Sequence, residues 1–534
     1  MRLSQARGLL QHSGGRRGLA VPGWRADLAA AALGAIAAAA LPPLFFVPAL
    51  LIAVPGLLAL LGAAPRPLVA LRLGFWFGFG HHLFGLYWIT DAILVEAADY
   101  WWFVPIAVPG LSALLAAFIA VPCMAAWYAA PGWRRALVLA GAWTLADIAR
   151  EFALTGFPWN PWGSVWAFPG TMGNVFLQPL AWIGTPGLTF LTVLLAALPT
   201  LGRAGWAGGA AALAVWAGFG AWRLEQPAPP PRDLSVVLVQ GNVAEGEKLG
   251  EDDRDAIFDR YLKLTKAGVA EAGSGPKVVV WPESASPYLL QDIGLPAPYE
   301  LEAAEQRRAI AQATNGGEPG PTTALVGSIR FPGDRYMPGE RPRNSLIAVA
   351  GDGAVVGIYD KIHLVPGGEF QPSWLPLPVQ LVPGGGFDSG TDRRTLHIPG
   401  LPPVGILICY EAIFPGQVVD RADRPDWLVN ITNDAWFGDS TGPRQHLATA
   451  RMRAVEEGMP LVRAANTGIS AAFDAHGREL RRLGLDRQGT IVAQLPAPLP
   501  PTPFGRFGLA IPALIATASV AIGALARRGM RSVG

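Results

Sequence analysis

Three ionisable side chains follow apolar, β-branched runs of this 534-residue sequence. They are a carboxylate, an ammonium and a thiol: Glu283, Lys361 and Cys409. In open α/β sheets, functional groups gather beyond the carboxyl ends of the strands. We therefore expect the three side chains to lie along one edge of a sheet.

Together the three groups suit acyl transfer through a thioester. A deprotonated cysteine is a strong nucleophile, a glutamate can take its proton and later return it, and a lysine can stabilise the oxyanion of a tetrahedral intermediate. Each residue alone has an ordinary interpretation, as a packed thiol, a carboxylate at a helix start or a solvated charge. The coincidence of all three indicates a catalytic site.

The residues from about 223 to 503 have the pattern of an α/β domain. Helical patterns at 252–272, 298–314 and 442–458 lie between short apolar runs. Some runs follow one another with no helix between them, so we expect a mixed sheet. The runs predicted to be strands are 234–240, 277–281, 323–329, 345–350, 355–359, 404–409 and 427–432.

The rest of the chain is too apolar for a soluble protein. Hydrophobic residues make up 51% of the whole sequence and charged residues 15%, against about 25% charged residues in soluble domains. A membrane-spanning helix needs about 20 mostly apolar residues. The sequence predicts eight such spans, at 26–41, 43–63, 69–94, 102–128, 134–150, 172–200, 204–222 and 505–526.

Loop charges predict the orientation of these spans, because basic residues mark the cytoplasmic side of short loops. Arginines precede the first span and occur after the second, fourth, sixth and eighth, whereas the loop at 95–101 carries Glu96 and Asp99. We predict a cytoplasmic segment 1–25, a transmembrane domain 26–222, an extracytoplasmic domain 223–503, a span 504–526 and a cytoplasmic tail 527–534.

Composition excludes several functional classes. The net charge of +2 gives no field that attracts nucleic acid. The two cysteines, Cys123 and Cys409, cannot form a disulfide framework, and Cys123 is expected to pack within a span. We find no spacing typical of metal ligands, a phosphate loop or a dinucleotide site, so neither a metal nor a cofactor is expected.

Four motifs resemble the nitrilase superfamily of carbon–nitrogen hydrolases. They are 281–285 (WPESA), 359–370 (YDKIHLVPGGEF), 408–411 (ICYE) and 430–438 (NITNDAWFG). The last motif continues through Gln445 and His446 to residues 463–468. With its predicted spans, nearly the whole chain resembles the membrane-anchored apolipoprotein N-acyltransferase family of that superfamily.

That resemblance implies an αββα sandwich for 223–503 and a location in the bacterial inner membrane, with the catalytic domain in the periplasm. It also implies a ping-pong reaction. Cys409 would take an acyl chain from a phosphatidylethanolamine-like phospholipid and pass it to the α-amino group of the S-diacylglyceryl-cysteine of an apolipoprotein. We expect a membrane-embedded monomer.

The resemblance also implies roles for the site residues. Glu283 would be the general base, and Lys361 would stabilise the oxyanion together with the backbone N–H of Tyr410. Glu369 would hold Lys361 in place. Tyr410 and Glu411, which flank the nucleophile, would gate or shape the site.

Further segments are candidates for lipid contact. The apolar, Pro-rich segment 374–378 either dips into the outer leaflet through Trp374 and Leu377 or packs on the domain. Trp436 lies either in a substrate loop or in an ordinary surface turn. The tryptophans of loop 151–171 suit a membrane interface. For His81 and His82, in or near the third span, functional and packing roles are both open.

Two other functions stay open. A membrane-anchored amidase of the same superfamily would form the same thioester and pass the acyl group to water. A transporter or sensor with an inactive domain is a third alternative. The presence of Glu283, Lys361 and Cys409 argues against it, because an inactive domain has no reason to keep all three.

Overall fold

The chain folds into a helical part and an α/β part in this computed structural model. The structure describes residues 23–95, 100–244, 253–292, 294, 299–316, 322–333, 337, 339–373 and 386–525. Trp374 and Leu377, with the rest of the predicted lipid loop, lie outside the described residues, as do most of the basic residues of both termini.

Apolar runs rich in Ala and Leu form the helices of the first 225 residues. These helices are α1 (Gly23–Ala38), α2 (Leu50–Ala63), α3 (Pro67–Gly85), α4 (Ile89–Leu94), α5 (Val104–Trp127), α6 (Trp133–Phe152), α7 (Gly170–Leu177), α8 (Leu180–Ala197) and α9 (Gly202–Glu225). Small residues allow close helix contacts. At Gly34, for example, a Cβ atom would lie 1.9 Å from the Phe77 carbonyl oxygen.

Several predicted spans are not continuous helices, and two of them are divided in the middle. The span predicted at 69–94 is divided, because α3 ends at Gly85 and the backbone of Leu86 is not helical (φ −119°, ψ 12°). The span predicted at 172–200 is divided between α7 and α8, and α8 itself is kinked at Gly184 (φ 63°, ψ −178°). Glycine tolerates this backbone conformation because it lacks a Cβ atom.

Length and hydropathy identify fewer spans than the sequence predicts. Among the described residues, two helical stretches are long and apolar enough to cross a membrane, Trp101–Trp127 and Leu180–Leu224. The second contains both α8 and α9, which meet at Gly202 (φ 69°). Val47–Ala63 and Ala510–Leu525 are shorter apolar helices. The count of eight spans therefore stays a prediction.

The α/β part contains two six-stranded sheets. Their strand orders are β12-β1-β2-β3-β4-β5 and β11-β10-β9-β8-β7-β6. The strands are β1 (Ser235–Gln240), β2 (Lys277–Val280), β3 (Thr322–Arg330), β4 (Arg343–Ala350), β5 (Val355–Asp360), β6 (Thr395–Leu396), β7 (Val404–Ile408), β8 (Trp427–Thr432), β9 (Leu461–Ala465), β10 (Ser470–Phe473), β11 (Glu479–Leu483) and β12 (Gly489–Gln494).

Both sheets are mixed, as predicted. The three central strands β1, β2 and β3 of the first sheet are parallel, and so are β7, β8 and β9 of the second. The outer strands pair antiparallel. All seven predicted strands are present.

The two sheets pack face to face and are covered by helices, giving an α–β–β–α order of layers. Three helices of this part match the predicted ones: α10 (Arg254–Ala272), α11 (Tyr299–Asn315) and α12 (Gly442–Glu457). Val278 and Ile406 belong to the core between the sheets. Val279 instead packs beneath α10 and α11, and Leu407 beneath α12. Strands buried on both faces explain the continuous apolar runs.

The last two helices return to the helical part. They are α13 (Pro503–Phe507) and α14 (Ala510–Leu525). Glycines permit close packing of α14 on α6, because Cβ atoms at Gly141 and Gly523 would lie 2.6 Å from Ala516 O and 2.4 Å from a Val138 methyl carbon. The two ends of the α/β part are thus both connected to the helical part.

Candidate active site

Lys361 lies between two carboxylates. Its Nζ atom donates to Glu283 Oε1 at 2.9 Å and to Glu369 Oε1 at 2.8 Å. Only 1% of the Lys361 side chain is exposed. Glu283 follows β2 and Lys361 follows β5, so the carboxyl ends of two strands supply the pair. The predicted contact between Lys361 and Glu369 is present.

Backbone packing fixes the position of Glu283. The next residue, Ser284, has a positive φ of 48°, and Gly327 O of β3 accepts hydrogen bonds from Ala285 N and Ser286 N. A Cβ atom at Gly327 would lie 1.9 Å from Pro282 O. Only glycine permits this approach of β3 to the loop that carries the carboxylate.

Asn344, at the start of β4, is a site residue that the sequence reasoning missed. Its Nδ2 donates to Glu283 Oε1 at 2.7 Å and to Glu369 Oε1 at 2.9 Å. Its carbonyl oxygen accepts from Lys361 N at 2.8 Å. The β4–β5 register places Ser345 opposite Asp360 and therefore Asn344 beside Lys361, and this register includes a shift between Ala348 and Val349 that the sequence does not reveal.

Cys409 occupies a strained turn at the end of β7. It begins the short 3₁₀ helix Cys409–Ile413 and has a φ of 49°, which is uncommon for a residue with a side chain. Such strain persists only where the surrounding structure enforces it, and it occurs often at functional sites. The residue is 7% exposed.

The charges of the site favour a carboxylate, an ammonium and a neutral thiol. Burial alone would raise the pKa of Glu283, but the Lys361 charge and three hydrogen bonds hold it below the usual value. Burial would lower the pKa of Lys361, but Glu283 and Glu369 raise it well above its usual value. Burial and the Glu283 charge raise the pKa of the Cys409 thiol, against the opposing charge of Lys361.

Glu411 connects the loops of the site. The carboxylate is fully buried and accepts hydrogen bonds from Ile408 N at 2.8 Å, Ile362 N at 2.9 Å and Tyr359 Oη at 2.9 Å. Arg393 Nη2 is also 2.9 Å away. Glu411 thereby connects the chain before Cys409 to the loop that follows Lys361, and this contact helps to set the shape of the site.

Tyr410, next to Cys409, contacts loop 151–171 of the helical part. Its hydroxyl donates to Gly156 O at 2.6 Å, and its ring packs near Phe157 and Phe414. The tryptophans Trp159, Trp162 and Trp166 of that loop are buried. The loop therefore lies against the catalytic domain.

A cluster of buried polar side chains contacts the backbone carbonyl of Cys409. His446 Nε2 is 3.0 Å from Cys409 O, and His446 Nδ1 is 3.0 Å from Asp434 Oδ1. Arg463 Nη2 donates to Asp434 Oδ2 at 2.6 Å. Asp434, His446 and Arg463 all lie in the motifs quoted above, but nothing in their spacing distinguished a buried cluster from a surface turn.

The other predicted residues lie elsewhere. Trp436 is 37% exposed and, with Asp91 and Asp439, lines a cavity of about 320 Å³ between α4 and the turn after β8. His81 accepts a hydrogen bond from Trp162 Nε1 at 3.3 Å and packs on His82, inside the helical part. Cys123 is fully buried. Within the described ranges, no group of three or more His, Cys, Asp or Glu side chains could hold a metal ion.

Comparisons with known proteins cover both parts of the chain. Residues 236–499 match the family described as Carbon-nitrogen hydrolase, and residues 33–198 match the family described as Apolipoprotein N-acyltransferase N-terminal domain. Saccharomyces cerevisiae Nit3, a member of branch 10 of the nitrilase superfamily, aligns with a TM-score of 0.37 at 19% identity, covering 50% of this chain and 91% of that one.

Similar proteins extend over almost the full length. The apolipoprotein N-acyltransferase of Bradyrhizobium diazoefficiens is 39% identical, with 95% of this chain and 96% of that protein aligned. The apolipoprotein N-acyltransferase of Rhodopseudomonas palustris is 38% identical with the same coverage. The chain therefore belongs to the apolipoprotein N-acyltransferase family.

Proposed function

We propose that this chain transfers a fatty acyl chain from a membrane phospholipid to the α-amino group of the N-terminal S-diacylglyceryl-cysteine of an apolipoprotein. The reaction runs through a thioester on Cys409 in two half-reactions. The observation that carries this proposal is the buried Glu283–Lys361–Glu369 group beside a cysteine held in a strained turn. The full-length relatives, which are named for this activity, support the choice of substrates.

In the first half-reaction, the Cys409 sulfur attacks the ester carbonyl of the phospholipid while Glu283 takes the thiol proton. Lys361 Nζ and the backbone N–H of Tyr410 stabilise the oxyanion that forms. The tetrahedral intermediate then collapses, its carbon–oxygen bond breaks, and Glu283 returns the proton to the departing alkoxide. The products are a lysophospholipid and the acyl-enzyme.

In the second half-reaction, the lipoprotein α-amine attacks the thioester carbonyl and loses a proton to Glu283. The carbon–sulfur bond breaks, an amide forms, and the Cys409 thiolate recovers the proton from Glu283. Glu283 thus acts as base and then as acid in each half-reaction. Glu369 and Asn344 keep Lys361 and Glu283 in position throughout and do not contact the reacting atoms.

Both substrates are lipids, which favours a location in the bacterial inner membrane with the catalytic domain on the periplasmic side. We propose eight spans, with a transmembrane domain 26–222, a catalytic domain 223–503 and a last span within 504–526. The arginines beside Val47–Ala63 and in 527–534 support a cytoplasmic position for both termini. We propose a monomer, and a lipid-contact role for Trp374, Leu377 and Trp436.

Acyl trapping tests the first half-reaction. The purified protein is incubated with phosphatidylethanolamine labelled in its acyl chain, and the label sensitive to hydroxylamine is mapped by peptide. We expect label on Cys409, none in Cys409→Ala, and wild-type labelling in the matched control Cys123→Ala. Absence of label from folded protein, or full activity in Cys409→Ala, would overturn the thioester mechanism.

A second assay separates transfer from hydrolysis. A diacylated lipopeptide is added to the labelled acyl-enzyme, and the products are separated by mass. Triacylated lipopeptide supports the transferase, whereas release of free fatty acid alone supports the amidase alternative. A protein that never acquires label would fit the third alternative, a transporter or sensor with an inactive domain.

A further inference from the structure

Helix α12 is buried between the two parts of the molecule. All of its residues except Arg444 are buried. Leu447 and Ala450 belong to the core beneath the second sheet, whereas Ala448 and Met452 belong to the core of the helical part. This helix therefore packs against both parts, and a change in its contacts with the helical part can alter the position of residues in the catalytic domain.

Gln445, in the first turn of α12, makes four hydrogen bonds to the helical part. Its Oε1 accepts from Trp88 Nε1 at 3.1 Å and from Trp159 Nε1 at 2.8 Å. Its Nε2 donates to Pro42 O at 3.3 Å and to Gly85 O at 3.2 Å. All four hydrogen-bonding positions of the buried amide are thus occupied, and the orientation of the amide follows because two N–H donors face its oxygen and two carbonyl oxygens face its NH₂ group.

The next residue, His446, contacts the nucleophile. Its Nε2 lies 3.0 Å from the carbonyl oxygen of Cys409. Trp159, which donates to Gln445, also packs against the His446 ring, with centroids 5.5 Å apart. Two adjacent side chains of one helix turn therefore join the helical part to the main chain of Cys409.

We propose that Gln445 and His446 are positioning residues that couple contact with the helical part to the strained conformation of Cys409. The φ of 49° at Cys409 is maintained only by its surroundings. His446 contributes to these surroundings through its hydrogen bond to the carbonyl oxygen of Cys409. Gln445 in turn holds the end of α12 against the tryptophans. The proposal deepens the proposed function at the same site, because it makes the nucleophile dependent on the membrane domain.

The test compares two identical substitutions. Gln445→Glu keeps the shape of the side chain but removes both donors to Pro42 O and Gly85 O. Gln178→Glu is the control, because Gln178 is also buried and also bonds across the two parts, from Nε2 to His476 O at 3.0 Å, although its Oε1 additionally accepts from Arg223. The Gln178 contact lies outside the group around Cys409.

The readout is the rate at which iodoacetamide alkylates Cys409, measured by peptide mapping across a pH series. We expect the rate in Gln445→Glu to fall at least tenfold, because the displaced thiol no longer passes its proton to Glu283 and its thiolate is no longer stabilised by the Lys361 charge. Gln178→Glu should stay within twofold of the wild type. With lipid substrates, kcat should fall in Gln445→Glu while KM stays unchanged.

An unchanged or faster alkylation of Cys409 in folded Gln445→Glu overturns the proposal, and so does an equal loss in Gln178→Glu. If Gln445→Glu does not fold, Trp159→Phe replaces it. That change removes one hydrogen-bond donor to Gln445 and should slow alkylation about threefold. An unchanged alkylation rate in Trp159→Phe overturns the proposal. Alkylation needs no lipid, so a protein that passes this test but forms no acyl-enzyme refutes the proposed function alone.

Discussion

Replacing Glu369 by Gln tests whether the second carboxylate on Lys361 contributes to catalysis. Glu369 accepts three hydrogen bonds: from Lys361 Nζ at 2.8 Å and Asn344 Nδ2 at 2.9 Å on Oε1, and from Val365 N at 2.8 Å on Oε2. A glutamine has one oxygen. If that oxygen keeps the two bonds on one side, its NH₂ group faces the Val365 N–H.

The cost has two parts. A hydrogen bond between charged groups contributes about 1 to 1.5 kcal/mol more than one with a neutral partner, and an unsatisfied buried N–H costs about 1 to 3 kcal/mol. The two parts sum to about 2 to 4.5 kcal/mol. If this whole cost is felt in the transition state, acyl-enzyme formation slows by about 30-fold to 2,000-fold.

A single-turnover measurement of label transfer to Cys409 determines this rate. Glu305→Gln, the same change on the exposed face of α11, is the control and should behave as the wild type. Circular dichroism and thermal unfolding establish that both variants are folded. A rate for Glu369→Gln within threefold of the wild type would refute the reasoning, because Lys361 would then need only Glu283.

Two further predictions concern packing and pH. Gly327→Ala should lower activity more than 100-fold and destabilise the protein by about 1 to 3 kcal/mol, because its Cβ would overlap Pro282 O and force overpacking. The control Gly484→Ala, whose Cβ meets no atom within 4 Å, should change neither activity nor stability. Equal activities of the two variants would contradict the prediction. The second prediction concerns the Asp434–Arg463 pair. Burial would raise the pKa of Asp434, but Arg463 and His446 hold it below its usual value. The pair therefore stabilises the folded protein above the unfolded pKa of about 3.9, and this stabilisation is lost as the pH falls through the lower folded pKa. Asp434→Asn should therefore cost about 3 to 5 kcal/mol at pH 7 and progressively less below about pH 4, as thermal unfolding over a pH series will show; a difference independent of pH would argue against an ionised pair.

Much of the α/β fold could be predicted because its central strands are buried on both faces. The run at 427–432 coincides with β8, and Val278 to Val280 form most of β2. The later strands were harder to predict. Strand β9 contains the fully buried Arg463, which interrupts the apolar pattern, and β11 is exposed and rich in arginine. Their pairing partners, and not their own composition, stabilise them as strands.

In the membrane part, the positions where helices end were predicted less accurately. Hydropathy alone does not distinguish α3 from the turn after it, because Leu86 and Trp88 are apolar and yet leave the helix to pack near Trp159. The division between α7 and α8 lies at Gln178 and Pro179, and a proline has no N–H group to continue the helical hydrogen bonds. Long-range packing of aromatic side chains decided the end of α3, and a window of local hydropathy contains no information about it.

The sequence by itself determined which residue types could do the chemistry, because Glu283, Lys361 and Cys409 each follow an apolar strand and strand ends share one edge of a sheet. Only the tertiary structure decided what surrounds them. Asn344 bridges two carboxylates, and His446 holds the Cys409 carbonyl. These contacts join residues far apart in the chain, and a buried polar side chain shows its partner only when the fold brings the two together.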